Sequence, residues 1–117
     1  MFVFSLTVFI GLLHYAIAAV ELFFWRNPKV HNRLDYDQIT ADKVAPIVAN
    51  AGLYNAFIGS GLLWSLSSSG CSQGIVFFLV CVFIAGVFGG LTLKWTTLVL
   101  QSIPAAIALC AIYFSPP

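Results

Sequence analysis

Four long apolar runs limit this chain more than any other feature: Met1 to Trp25, roughly Val44 to Leu66, Ile75 to Leu93, and Leu98 to Phe114. A helix rises 1.5 Å per residue and needs about 20 apolar residues to cross about 30 Å of hydrocarbon, so each run is near the length of one crossing, the last being the shortest. Of 117 residues only 8% are charged and 61% are hydrophobic, whereas soluble domains carry about 25% charged residues. The chain reads as one domain over residues 1–117, an all-α antiparallel four-helix transmembrane bundle with helices at about 1–26, 41–66, 74–93 and 96–115. Ala16-Ile17-Ala18 resembles a signal-peptide cleavage site, but no Lys or Arg precedes the first run and its apolar pattern continues to Trp25. The first run is therefore read as a retained helix.

The basic residues are Arg26, Lys29, Arg33, Lys43 and Lys94. With four helices they fall in the first and third connections, on one side of the membrane. The positive-inside rule makes loops 27–40 and 94–97 cytoplasmic and puts both termini and the Ser67 to Gly74 loop outside, in a multi-pass protein of the cell (inner) membrane. Asp35, Asp37 and Asp42 lie among these bases, so the charges are a topology signal. The expected surroundings are the lipid bilayer, with no nucleic-acid partner.

Arg26-Asn27-Pro28 ends the first helix, because proline disfavours helical geometry in the residue before it. In the polar stretch NPKVHNRLDYDQIT, Val30, Leu34 and Tyr36 are expected to dip into the membrane interface. Thr40 is the expected N-cap of the second helix, with Asp42 in its first turn and Pro46 marking its start or a bend. Gly52, Ala56 and Gly59 form one small-residue face and Gly86 and Gly90 another, suited to close contact within the bundle or across a homo-oligomer or membrane partner. Pro104 is expected to kink the fourth helix, and Trp25 and Trp64 to anchor opposite interfaces. Cys71 falls in the outer loop. Cys81 and Cys110 lie one to two turns from the outer face, within conceivable reach of a bridge, although small buried side chains are the favoured reading.

Polar residues inside the apolar runs carry the functional information, since hydrocarbon offers them no water. They are His14 and Glu21 on helix 1, Asn50, Tyr54 and Asn55 on helix 2, and Gln101 on helix 4. His14, Ala18, Glu21 and Trp25 share one stripe, because seven residues turn about 700°. Counting inward from the cytoplasmic ends sets Glu21, Asn50 and Gln101 in a shallow layer about 5 to 10 Å deep, and His14 with Asn55 in a deep layer at about 15 to 18 Å. An ionised acid at a bilayer centre costs about 2.5 to 3.5 kcal/mol, while an interhelical hydrogen bond returns about 0.6 kcal/mol. Glu21 is therefore neutral, wet, paired with a base such as Lys94 or Lys43, or functional. His14 and Glu21 supply at most two ligands and His31 lies too far from His14, so no metal or haem is expected. No phosphate loop, Gly-x-Ser-x-Gly or His-Glu-x-x-His motif is present.

The segments HYAIAAVELFFW, VANAGLYNAFIGSGLLW, IAGVFGGLT and LQSIPAA, in this order and over about four-fifths of the chain, resemble the small four-helix membrane proteins grouped as domain of unknown function 1304. The family pattern has a Glu-His pair where this chain has Leu13-His14, and a glutamine where it has Ala51. Each departure removes a polar group, which puts in doubt any role that needs it and leaves the six polar residues in place. The resemblance implies the fold and a membrane location, with a looser likeness to DoxX-like proteins, and brings no activity with it.

The reading that follows is a polar pocket of His14, Glu21, Asn50, Tyr54, Asn55 and Gln101, open toward the cytoplasmic leaflet. It would bind a small amphipathic ligand such as a quinone or lipid headgroup, with Glu21 and His14 handling protons. The alternatives are a non-catalytic structural or partner-binding subunit and a membrane-embedded enzyme with Glu21 or His14 as general base.

Overall fold

A computed structural model describes residues 1–68 and 72–115. Those residues form helices and no strands. Helix α1 (Phe2–Phe24) finishes in a π turn at Val20–Phe24; α2 is the short helix Pro28–His31, followed by a 3-10 turn at Asn32–Leu34; α3 is Gln38–Ser67, α4 is Ser72–Thr92, and α5 is Trp95–Phe114 with a π turn at Leu98–Ser102. Helices α1, α3, α4 and α5 are each long and apolar enough to cross a membrane, as expected from the four runs. Cys71 lies outside the described residues, and Cys81 and Cys110 are free thiols, with no bridge between them.

The start of α3 differs from expectation. Asp37, extended at φ −75° and ψ 170°, is the N-cap in place of Thr40, and its carboxylate accepts the Thr40 amide at 2.7 Å. Cap to third helical residue is the usual reach of such a side chain. The helix therefore begins three residues early, and Pro46 falls within it. Just upstream, Asp35 takes the left-handed conformation (φ 60°) that closes the 3-10 turn, a geometry aspartate tolerates better than most residues. At thirty residues α3 is about 45 Å long, more than a crossing needs.

The surplus length of α3 has a use. Val30, Leu34 and Tyr36 do not reach toward an interface; they pack with Trp25, Ala41 and Ala45 into a small core beside the first turns of α3. Trp25, expected as an interfacial anchor, is 6% exposed and donates its indole N–H to the Ala41 carbonyl at 2.9 Å. The connection folds back over the ring, which removes it from the surface. Trp64 is exposed, as an anchor would be. The main core lies further along and draws on every long helix: Ile10, Leu62, Leu79, Val82, Ala105 and Ala108.

The small residues work inside the chain. A side-chain carbon on Gly59 would come within 2.8 Å of the Gly11 carbonyl, so α1 and α3 touch backbone to backbone there. Gly52, seven residues before Gly59, lies against Ala18, seven residues after Gly11. The two basic connections also meet, because Lys94 donates its ammonium to the Arg33 carbonyl at 2.6 Å.

Candidate functional site

The π turn that ends α1 carries Glu21. A π turn holds one more residue than an α turn and turns the side chains after it relative to a regular helix. Glu21 crosses to α3, where the Asn55 amide donates to its carboxylate at 2.8 Å. Both residues are half-buried. Below them α1 and α3 part around a cleft of ≈ 230 Å³, walled by Glu21, Trp25 and Arg26 on one side and by Ala45, Pro46 and Ala49 on the other. One acid and one arginine thus border a concavity whose remaining lining, Leu22 and Phe23 included, is apolar.

Of the six residues singled out in the sequence, this pair is what the fold brings together through side chains. His14 is buried at 2% exposure, but its Nδ1 bonds the Ile10 carbonyl of its own helix at 2.9 Å. Asn50 and Tyr54 are exposed on α3, where Tyr54 packs edge-on against Phe57. Gln101 is half-buried in the π turn of α5, with its Cβ against Gly86 of α4. Neither Lys94 nor Lys43 pairs with Glu21: Lys94 is bonded to Arg33, and no ion pair to Glu21 occurs among the described residues.

The expected two layers are accordingly redrawn, since Asn55 meets Glu21 and not His14. Counting Cα positions misleads because helical side chains lean toward the N-terminus of their own helix. Gly52 lies against Ala18 and the Cβ of Glu21. From there Glu21 leans back toward the level of Ile17 and Asn55 back toward that of Gly52, so the two side chains meet from different backbone depths. Tyr15 and Ser60 repeat the offset one step deeper and share a hydrogen bond between their hydroxyls.

Nothing in the sequence singles out the Tyr15–Ser60 pair, nor Ser102, which donates to the Phe83 carbonyl of α4 at 2.7 Å. Hydroxyls in apolar helices give little signal, because they can bond the preceding turn of their own helix. Thr7 and Thr92 do so in this chain. Ser65 is buried at 1% with no partner among the described residues. The largest omission is His31, read as a loop residue and found 2% exposed with both ring nitrogens engaged.

The fold thus defines a class: an all-helical protein with four helices suited to crossing a membrane and an acid–amide pair between two of them. Residues 8–113 match the family described as "Protein of unknown function (DUF1304)", and the chain belongs to that family. No curated protein and no solved structure matches it.

Proposed function

We propose that the chain is a single-domain, multi-pass protein of the cell membrane whose four long helices form an antiparallel bundle. The cleft beside Glu21 would then bind the polar head of a small amphipathic ligand, such as a quinone or lipid. The opposed run of contacts between α1 and α3 supports the antiparallel arrangement. The Lys94–Arg33 bond supports a common side for the two basic connections, which the positive-inside rule makes cytoplasmic, with the termini outside. Many large apolar side chains point outward, Phe23, Phe77, Phe88 and Leu91 among them, in keeping with lipid contact.

One observation carries the ligand reading: Glu21, held by Asn55 across the α1–α3 contact, also borders a concavity. An acid whose only task was to fix helix register would have no need of open space next to it. In this proposal Glu21 accepts a hydrogen bond or proton from the ligand, Asn55 orients the carboxylate, and Trp25 and Arg26 flank the opening. His14, Asn50, Tyr54 and Gln101 have no part in it, since none of them lines the cleft.

A non-catalytic subunit in which polar pairs set register is the second reading, favoured by the Tyr15–Ser60 bond, which joins the same two helices beyond the cleft. Native mass spectrometry in mild detergent separates the two. The wild type is expected to retain a lipid or quinone mass that Glu21→Gln loses while remaining folded. A wild type that retains nothing, with Glu21→Gln changing only thermal stability, would establish the scaffold reading.

A further inference from the structure

His31 sits in the connection between α1 and α3, 2% exposed, with an oxygen at each ring nitrogen: the Tyr36 carbonyl is 2.9 Å from Nδ1 and Gln38 Oε1 is 3.2 Å from Nε2. A neutral imidazole carries one N–H and one lone pair, so it satisfies only one of these acceptors. Turning the Gln38 amide does not relieve the mismatch. Its Nε2 donates to Asp42 Oδ1 at 3.0 Å and to the Arg26 carbonyl at 3.4 Å. A turned amide would face its oxygen to a carboxylate and a carbonyl, neither of which donates. The hydrogens along the chain from Tyr36 through His31 and Gln38 to Asp42 are therefore fixed, and the ring supplies two of them.

We propose that His31 is an imidazolium in this structure, protonated on both nitrogens, and that this proton is a latch holding the connection against the cleft-side residues Trp25 and Arg26. The double protonation stands on the hydrogen-bond count alone, whereas its bearing on ligand access rests on the cleft being the binding site. The route to the cleft is direct. The His31 ring lies edge-on to Trp25 with centroids 6.2 Å apart, and the Gln38 amide reaches the Arg26 backbone.

The charges around the ring divide by element. The start of α3 brings Asp37 and Asp42, the connection brings Lys29, Arg33 and Asp35, and the end of α1 brings Arg26, which joins the network through its carbonyl. The Asp37 carboxyl is held below the usual carboxylate range chiefly by the Thr40 backbone N–H and then its side chain, with a smaller contribution from positive charge on His31. Loss of a proton from His31 puts a lone pair against an oxygen, so either the ring parts from the Tyr36 carbonyl or Gln38 lets go of the ring or of Asp42 and Arg26. The latch is closed while the ring is charged and opens when the ring loses a proton. Histidine is the side chain suited to that role near neutral pH.

Nitrogen-15 NMR of the full chain in detergent, labelled at histidine, reads the state directly, and His14→Gln assigns the two rings without altering His31. The expected result is protons on both His31 nitrogens in acidic buffer and loss of one as the buffer is made alkaline. In a chain with Trp64→Phe and Trp95→Phe, Trp25 emission is expected to rise over the same change of buffer, as quenching by the imidazolium ends, and His31→Gln is expected to abolish the step. A His31 ring with one bare nitrogen throughout, or an emission step that survives His31→Gln, would overturn the latch. Glu21→Gln keeps the two proposals apart, because the step is expected to persist when the retained ligand mass is lost. A missing step with that mass still lost from Glu21→Gln sinks the latch and spares the cleft.

Discussion

The two π turns, Val20–Phe24 in α1 and Leu98–Ser102 in α5, look alike in backbone and differ in origin. Each carries a polar residue inside an apolar helix, Glu21 or Gln101, and each rests on a glycine of the adjoining helix, Gly52 or Gly86. In α5 the cause is in the chain itself: Pro104 stands two residues beyond the turn, and its ring removes a rung of the hydrogen-bond ladder that a π turn absorbs. Helix α1 contains no proline. Its π turn coincides with the carboxylate that crosses to Asn55 and borders the cleft. Turns of this kind are frequent at functional sites, and the absence of a proline leaves the one in α1 without a backbone cause.

The glycine contacts give the largest lever on this contrast. A side-chain carbon at Gly86 would lie 2.6 Å from the Ser102 amide nitrogen and 2.9 Å from Gln101 Cβ, whereas one at Gly52 would stand 3.0 Å from Glu21 Cβ and 3.2 Å from the Ala18 carbonyl. Gly86→Ala is expected to cost about 1–3 kcal/mol, as overpacking does. Gly52→Ala should fall at or below the lower end of that range. Thermal midpoints of the two variants in one detergent check the order, and equal losses would erase the distinction.

A smaller effect is expected at Ser102→Ala, which removes the donor to the Phe83 carbonyl and should cost about 0.5–1.5 kcal/mol. Hydrogen exchange at α4 amides near Phe83 would localise the change. The smallest belongs to the pair that matters most for function. A double-mutant cycle of Glu21→Gln with Asn55→Ala should give a coupling of about 0.6 kcal/mol, the average for interhelical hydrogen bonds in a membrane protein. A coupling several times larger would mean that the acid is mainly a structural clamp and would weaken the ligand reading.

Much of this architecture is legible in the chain. The four apolar runs locate the long helices, all but the start of α3 to within three residues, and Gly52, Gly59 and Gly86 announce the close contacts before the fold is known. What stays hidden depends on direction and on folding back. The Glu21–Asn55 pair is invisible to a count of backbone depth because each side chain leans a turn away from its own Cα. Trp25 and His31 look like surface residues because nothing in NPKVHNRLDYDQIT says that Val30, Leu34 and Tyr36 prefer the first turns of α3 to an interface. The π turn before Pro104 is hidden as well, since proline marks a broken rung and not the way the helix repairs it.

The bond from Lys94 to the Arg33 carbonyl has a consequence for how the molecule is made. Synthesis runs from the N-terminus, so Arg33 is in place long before Lys94 leaves the ribosome. The bond cannot form until α4 has been made and its C-terminal end lies beside the first connection. A product with α4 unplaced would hold Lys94 away from Arg33. The lysine thus marks the arrival of α4, tying the end of that helix to the first connection.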